Sequence, residues 1–97
     1  MFRHVVMFRF TPEATADQIR HLSDGLDQLP GAIPEIRAYR HGPNGGTAPD
    51  NWHYVVVADF EDAAAHQIYA AHERHQHLIA DRVRPILAER AGIQYEI

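Results

Sequence analysis

From Phe2 to Phe10 the side chains alternate in period two. Phe2, His4, Val6, Phe8 and Phe10 share one face, and Arg3, Val5, Met7 and Arg9 share the other. β-Branched and aromatic residues at that period predict a strand. Because both faces are apolar at their centre, both are expected to be covered. Thr11-Pro12 closes the strand. Thr15 with Gln18 three residues on has the form of a capping box, and Ile19, Leu22, Leu26 and Leu29 follow at helical spacing. An amphipathic helix is predicted here, ending near Pro30-Gly31. Gly25 in its middle costs up to about 1 kcal/mol relative to alanine, and close packing against the sheet is one reason for it.

Pro34 to His41 alternates as a second strand, more polar than the first and therefore expected at a sheet edge. Residues 42–51 carry the composition of a loop, rich in Gly, Pro, Asn and Asp; a lid and a solvated hairpin end both fit. Trp52 to Phe60 is a third strand, with Trp52, Tyr54, Val56, Ala58 and Phe60 on one face and His53, Val55, Val57 and Asp59 on the other. Glu61-Asp62 places negative charge at the start of the next helix, where the helix dipole favours it. Ala64, Ile68 and Ala71 give that helix its stripe. A further helical piece is predicted from about His75 to Arg90, interrupted at Pro85 and stopped by Gly92. Ile93, Tyr95 and Ile97 alternate as a short last strand.

The order βαββαβ over residues 1–97 is that of a single α+β domain of ferredoxin-like type, a four-stranded antiparallel sheet with both helices on one face. The other face then carries Val5, Met7, Val55 and Val57 uncovered. Such a patch marks an interface, and the simplest partner is a second copy packed sheet to sheet about a two-fold axis. A homodimer is the expectation. Arg3, Arg9 and Asp59 would rim its interface.

Charge and composition narrow the function. The formal net charge of −4 argues against nucleic acid and against an anionic membrane surface, both of which call for basic patches. The chain has no cysteine, which removes disulfides, thiolate metal sites and thiol nucleophiles. No apolar run approaches a membrane span of roughly 20 residues, and no signal-peptide pattern precedes the first strand; a cytoplasmic protein is expected. Eight histidines are the compositional oddity. His21, His41 and His66 are scattered and read as solvent-facing. Tyr69, His72, His75 and His77 fall within nine residues, and all can move protons, histidine near neutral pH. A metal reading of His72, His75 and His77 is disfavoured, because the usual helical pair of metal ligands stands four residues apart. On a straight helix Tyr69 and His75 would point about 120° apart, so they meet only if the helix bends between them.

The opening Arg3-His4-Val5-Val6-Met7-Phe8-Arg9-Phe10, the Gly42-Pro43-Asn44 after the second strand, the Phe60 that closes the third, and Tyr69-Ala70-Ala71-His72 leading to His75 together resemble the stress-responsive A/B barrel family, over essentially the whole chain. The resemblance implies a dimeric α+β barrel with the helices outside. It also brings in a plant branch that acts as polyketide cyclases, with a pocket between helices and sheet in each subunit. The working groups of that branch fall here on His4, Tyr69 and His75. Two positions depart from the pattern: Glu73 stands where the family has proline after the His72 position, and Tyr54 stands where the cyclase branch has a pocket histidine. The nearby His53 is one step displaced and so on the opposite face, an interface candidate.

On this reading His75 is a general base, Tyr69 a hydrogen-bond donor to an enolate or alkoxide, and His4 an orienting or carbonyl-binding group. Phe8, Tyr54, Phe60 and His72 are the expected substrate-binding residues, and no metal or cofactor is required. Two function classes stay open. One is a cofactor-independent cyclase or isomerase acting on a small polyketide-like substrate. The other is a non-catalytic stress-response dimer or binder of a small hydrophobic ligand. The same fold also hosts cofactor-free monooxygenases, a third reading that fold alone does not separate.

Overall fold

In the computed structural model, which describes residues 1–97, the chain runs through strand Phe2–Phe10 (β1), helix Ala16–Ala32 (α1), strand Ala38–Pro43 (β2), strand Tyr54–Phe60 (β3), helix Ala63–Ala71 (α2), a short helix Glu73–Leu78 (α3), a π-helical turn Ile79–Val83, a 3-10 turn Arg84–Ile86 and strand Leu87–Glu96 (β4). The strand order is β2-β3-β1-β4, antiparallel throughout. This is the ferredoxin-like α+β fold that the element order predicts.

Local chemistry starts the helices. Thr15 Oγ1 accepts the Gln18 N–H at 3.1 Å, and Gln18 Oε1 accepts the Thr15 N–H at 3.0 Å, the reciprocal capping box. Asp62 caps α2 by accepting the Ala65 N–H at 2.9 Å. α1 does not stop at Pro30. It runs to Ala32, because a proline in the last turn forfeits only one backbone bond, while Leu26, Leu29 and Ile33 are buried around it.

Leu22, Leu26 and Leu29 of α1 join Val6, Phe8 and Phe10 of β1, Tyr54, Val56, Ala58 and Phe60 of β3, and Leu78, Val83 and Ile86 in one core. Fully burying each large side chain is worth about 1.5–3 kcal/mol. Gly25 packs against α3 and the π-helical turn rather than the sheet. A Cβ there would meet Arg82 Cδ at 2.7 Å and Leu78 Cδ1 at 3.0 Å. The missing side chain lets Arg82 cross α1 and donate to the His21 carbonyl at 2.7 Å.

The largest departure from the predicted elements lies between Leu87 and Gly92. Helical spacing and Gly92 predict a helix there, but β4 begins at Leu87, just after Pro85, and Gly92 sits mid-strand opposite Val6. The free ladder edge of β1 decides the matter. It pairs with nearly all of β4, from Phe2↔Glu96 to Phe10↔Leu87, and such tertiary pairing overrides weak local propensity. β2 likewise starts at Ala38 rather than Pro34. β3 starts at Tyr54, and Trp52 stays outside the core, its ring 4.2 Å beneath the Arg9 guanidinium. His53 is exposed but anchored through one ring nitrogen. Its Nδ1 accepts the Phe10 N–H at 2.9 Å, where the register of β1 against β4 shifts.

The helices cover one face of the sheet. On the other, Val5, Met7, Val55 and Val57 are half-buried, and β4 extends the face with the exposed Ile93 and Tyr95, in register with Val5 and Arg3. Arg3 and Asp59 form a two-pronged pair across it, at 2.7 and 2.9 Å. No helix is long and apolar enough to cross a membrane.

Candidate functional site

α2 ends at His72, whose ψ of 137° leaves the helical region. Its Nδ1 then accepts the Arg74 N–H at 3.0 Å and caps α3. One histidine thus ends one helix and starts the next, and Glu73 in place of proline does not prevent the break. The bend carries His75 back onto Tyr69. Their ring centroids lie 4.2 Å apart, which a straight helix would not permit.

The two rings face a cavity of about 360 Å³ between the helices and the sheet, within the usual size of a small-molecule site. His4 enters from β1, 5% exposed, with its ring 4.6 Å from that of His66 and 6.0 Å from that of Tyr69. Tyr39 enters from β2, its hydroxyl 2.8 Å from that of Tyr69. Gln94 enters from β4 and donates to His4 Nδ1 at 2.9 Å. Val6, Phe8, Leu26, Val56 and Leu78 are among the apolar lining, Arg84 and Arg90 complete the polar part, and no aspartate or glutamate lines the space.

Hydrogen bonds set the proton positions. Nδ1 of His75 lies 3.2 Å from the Ala70 carbonyl. A carbonyl only accepts, so Nδ1 carries the proton and Nε2 keeps a free lone pair. His4 is the opposite case: Nδ1 accepts from Gln94, and the neutral ring carries its proton on Nε2. The Tyr39–Tyr69 contact uses one O–H, and the other remains to be donated.

Electrostatics point the same way. Burial pushes His4 down to about 4, and the Arg90 charge and the titration of the neighbouring His66 and His75 add to it. Burial also lowers His75; the Ala70 carbonyl opposes this in part, and His66, Arg90 and His72 add to it. His66 is lowered by burial and by Arg90. All three imidazoles are therefore neutral at pH 7. Burial raises both tyrosines, so both are protonated donors.

The fold thus gathers His4, Tyr69 and His75 around one space, with Phe8 in its wall. Three expected substrate contacts lie outside the cavity wall. Tyr54 turns its hydroxyl to His41 Nδ1 at 2.8 Å, Phe60 is fully buried behind Tyr69, and His72 is occupied as a cap. None of the three lines the cavity, and neither does any residue of the loop 42–51, so that loop is no lid over it. Two of the supposedly solvent-facing histidines are also corrected. His66 lines the cavity, and His41 is nearly covered, bonded to Asp27 at 2.6 Å. Sequence reasoning missed Tyr39, His66, Arg90 and Gln94. Period two through β4 would have placed Arg90 and Gln94 on the face of His4, had the strand been started at Leu87.

Fold and site together define a ferredoxin-like α+β domain with an acid–base cavity between its helices and its sheet. Comparison with known proteins makes this specific. The chain belongs to the Stress Responsive A/B Barrel Domain family, whose model matches residues 2–97. No curated protein matches the sequence. A dimeric ferredoxin-like protein of unknown function from Thermobifida fusca YX is 33% identical, with a TM-score of 0.90 over 99% of this chain and 90% of that one. The hydroxynitrile lyase of Passiflora edulis shares the fold at 18% identity and a TM-score of 0.86, over 99% and 92%. An antibiotic biosynthesis monooxygenase shares it at 18% and 0.78, over 100% and 98%.

Proposed function

We propose that the cavity is the active site of a cofactor-independent acid–base enzyme, a cyclase or isomerase acting on a small polyketide-like or oxo-substrate. The observation that carries this reading is the Tyr69–His75 pair, 4.2 Å apart, with His75 tied through Nδ1 and bare at Nε2. Nε2 removes the acidic proton between two carbonyls. The free O–H of the Tyr39–Tyr69 pair donates to the enolate oxygen as charge develops there, and the Nε2–H of His4 offers a second donor for a substrate carbonyl. In ring closure the enolate carbon attacks a second carbonyl, and the proton taken by His75 returns to the alkoxide, so the step is balanced without any other reactant.

The test is deuterium exchange at C2 of ethyl acetoacetate, followed by NMR above the buffer rate. The protein accelerates exchange, and His75→Ala loses about 10²–10⁴ of that acceleration with its melting temperature unchanged. Full activity in His75→Ala would remove the base assignment. No acceleration by the wild type, with ligand binding retained, would favour the second reading, a binder of small hydrophobic ligands. The largely apolar cavity wall supports that alternative. The fold shared with the monooxygenase supplies a third reading, for which substrate-dependent oxygen uptake is the sign.

The assembly that best fits the open sheet face is a homodimer through Val5, Met7, Val55 and Val57, extended by Ile93 and Tyr95; the dimeric T. fusca relative supports it. Val57→Asp then puts a charge on the centre of that face and yields monomers in sedimentation, and a wild-type monomer at micromolar concentration would refute the assembly.

A further inference from the structure

Two arginines line the cavity, Arg84 and Arg90, and no carboxylate faces them. This is unexpected in a chain of net charge −4. Five arginines are ion-paired, Arg3–Asp59, Arg9–Glu89, Arg20–Asp17, Arg37–Glu61 and Arg82–Asp81; Arg84 and Arg90 are unpaired, as are Arg40 and Arg74, but only Arg84 and Arg90 line the cavity. Arg90 is moreover seated. In β4 it is opposite Phe8, Gly92 is opposite Val6 and Gln94 opposite His4, so its side chain starts on the cavity face of the sheet. There the guanidinium lies over Gly92, where a Cβ would stand 3.0 Å from both of its terminal nitrogens. The glycine leaves the floor flat, and the cation rests on it, open to solvent and unpaired. A planar guanidinium takes a carboxylate by two parallel hydrogen bonds.

We propose that the cavity binds small organic acids, with the ligand carboxylate on Arg90 over Gly92 and its hydrocarbon against the apolar wall. This rests on the reading above that the cavity is a ligand site, and it adds the class of ligand. An acid so held has its carboxylate at the β4 end and its carbon skeleton toward His4 and the Tyr69–His75 pair.

The experiment uses two probes of equal size, 2-naphthoate and the uncharged 2-acetonaphthone, titrated calorimetrically into the wild type, Arg90→Gln, Arg84→Gln and Gly92→Ala, with a thermal melt of each protein. The wild type should prefer the carboxylate by about tenfold or more, the scale of a charged hydrogen-bonded pair. The preference should disappear in Arg90→Gln and fall less in Arg84→Gln. In Gly92→Ala, which keeps the charge but lifts it off its seat, it should fall. Gly92→Ala also carries the test should Arg90→Gln fail to fold. If both probes bind the wild type alike, or if the preference outlasts Arg90→Gln, the acid-binding proposal is overturned while the cavity remains a ligand site. If neither probe binds, the ligand-site reading falls and this proposal with it.

Discussion

His41 and His75 are both held by neighbours, and the two are held in opposite ways. His41 stands between Asp27 at 2.6 Å on Nε2 and Tyr54 at 2.8 Å on Nδ1. Acid, imidazole and phenol in a row look like a proton relay by residue type. Yet both ring nitrogens are occupied, and the result is a clamp that ties α1 to β2 and β3. His75 has one nitrogen on a backbone carbonyl and the other bare, beside a tyrosine, in a cavity without a carboxylate. The same residue types thus serve packing in one place and are free for chemistry in the other. What distinguishes them is the unspent hydrogen-bonding capacity.

The contrast can be broken by exchanging the two histidines' fates. His75→Ala is the larger effect, a loss of catalysed exchange of about 10²–10⁴ with little change in stability. His41→Ala should do the reverse. It removes the His41 hydrogen bonds to Tyr54 and Asp27, each worth about 0.5–1.5 kcal/mol, read as a lower urea midpoint, while exchange per folded molecule stays at the wild-type value. If His41→Ala abolishes exchange at unchanged stability, the clamp is part of the chemistry and the distinction fails.

Acid sharpens the comparison further. His4, His66 and His75 all have pKa values below the ordinary 6.5 in the folded protein. Between that value and the lowered ones the unfolded chain binds more protons than the folded one, so unfolding becomes easier as pH falls. Their stabilising contribution is complete above about pH 6.5 and drains away below it. For His4 the loss is complete only below about pH 4. The urea midpoint of the wild type should therefore drop between pH 7 and pH 5, and drop less in a His4→Gln variant. Catalysed exchange should show an acid limb with an apparent pKa below 6.5, reporting His75. A limb above 6.5 would mean that another group is the base.

Much of the fold was legible because its signals are local. The alternation of β1, the Thr15–Gln18 box and the Leu22, Leu26, Leu29 stripe each carry their own period or cap, and element order then points to one sheet topology. The C-terminal third was less legible. Leu78 to Leu87 fits a helix by spacing, and only the unpaired edge of β1, where His4 meets Gln94 90 residues further along the chain, turns Leu87 onward into strand. The site divides along the same line. His4, Tyr69 and His75 stood out through residue type and family resemblance. Period two puts Arg90 and Gln94 on one face of β4, but only the pairing of β4 with β1, and of β2 with β3, brings them and Tyr39 to the cavity. His66 looked like one more surface histidine until α2 was laid over Phe2 and Phe60, with rings 5.6 and 5.4 Å from its own.

The pairing of β1 with β4 also bears on how the protein comes into being. His4 sits beside Gln94 and opposite the strand that bears Arg90, so two walls of the cavity come from opposite ends of the sequence. Contacts of such separation must meet the entropy of closing almost the whole chain before they return any stabilisation, and folds dominated by them form slowly. Hairpins and helices built from neighbouring residues can assemble early without the wall that β4 adds. A chain in which β4 has not yet paired with β1 lacks the wall that carries Arg90 and Gln94. Formation of the His4–Gln94 contact is therefore a clock for the closure of β4 on β1, distinct from the gain of helix.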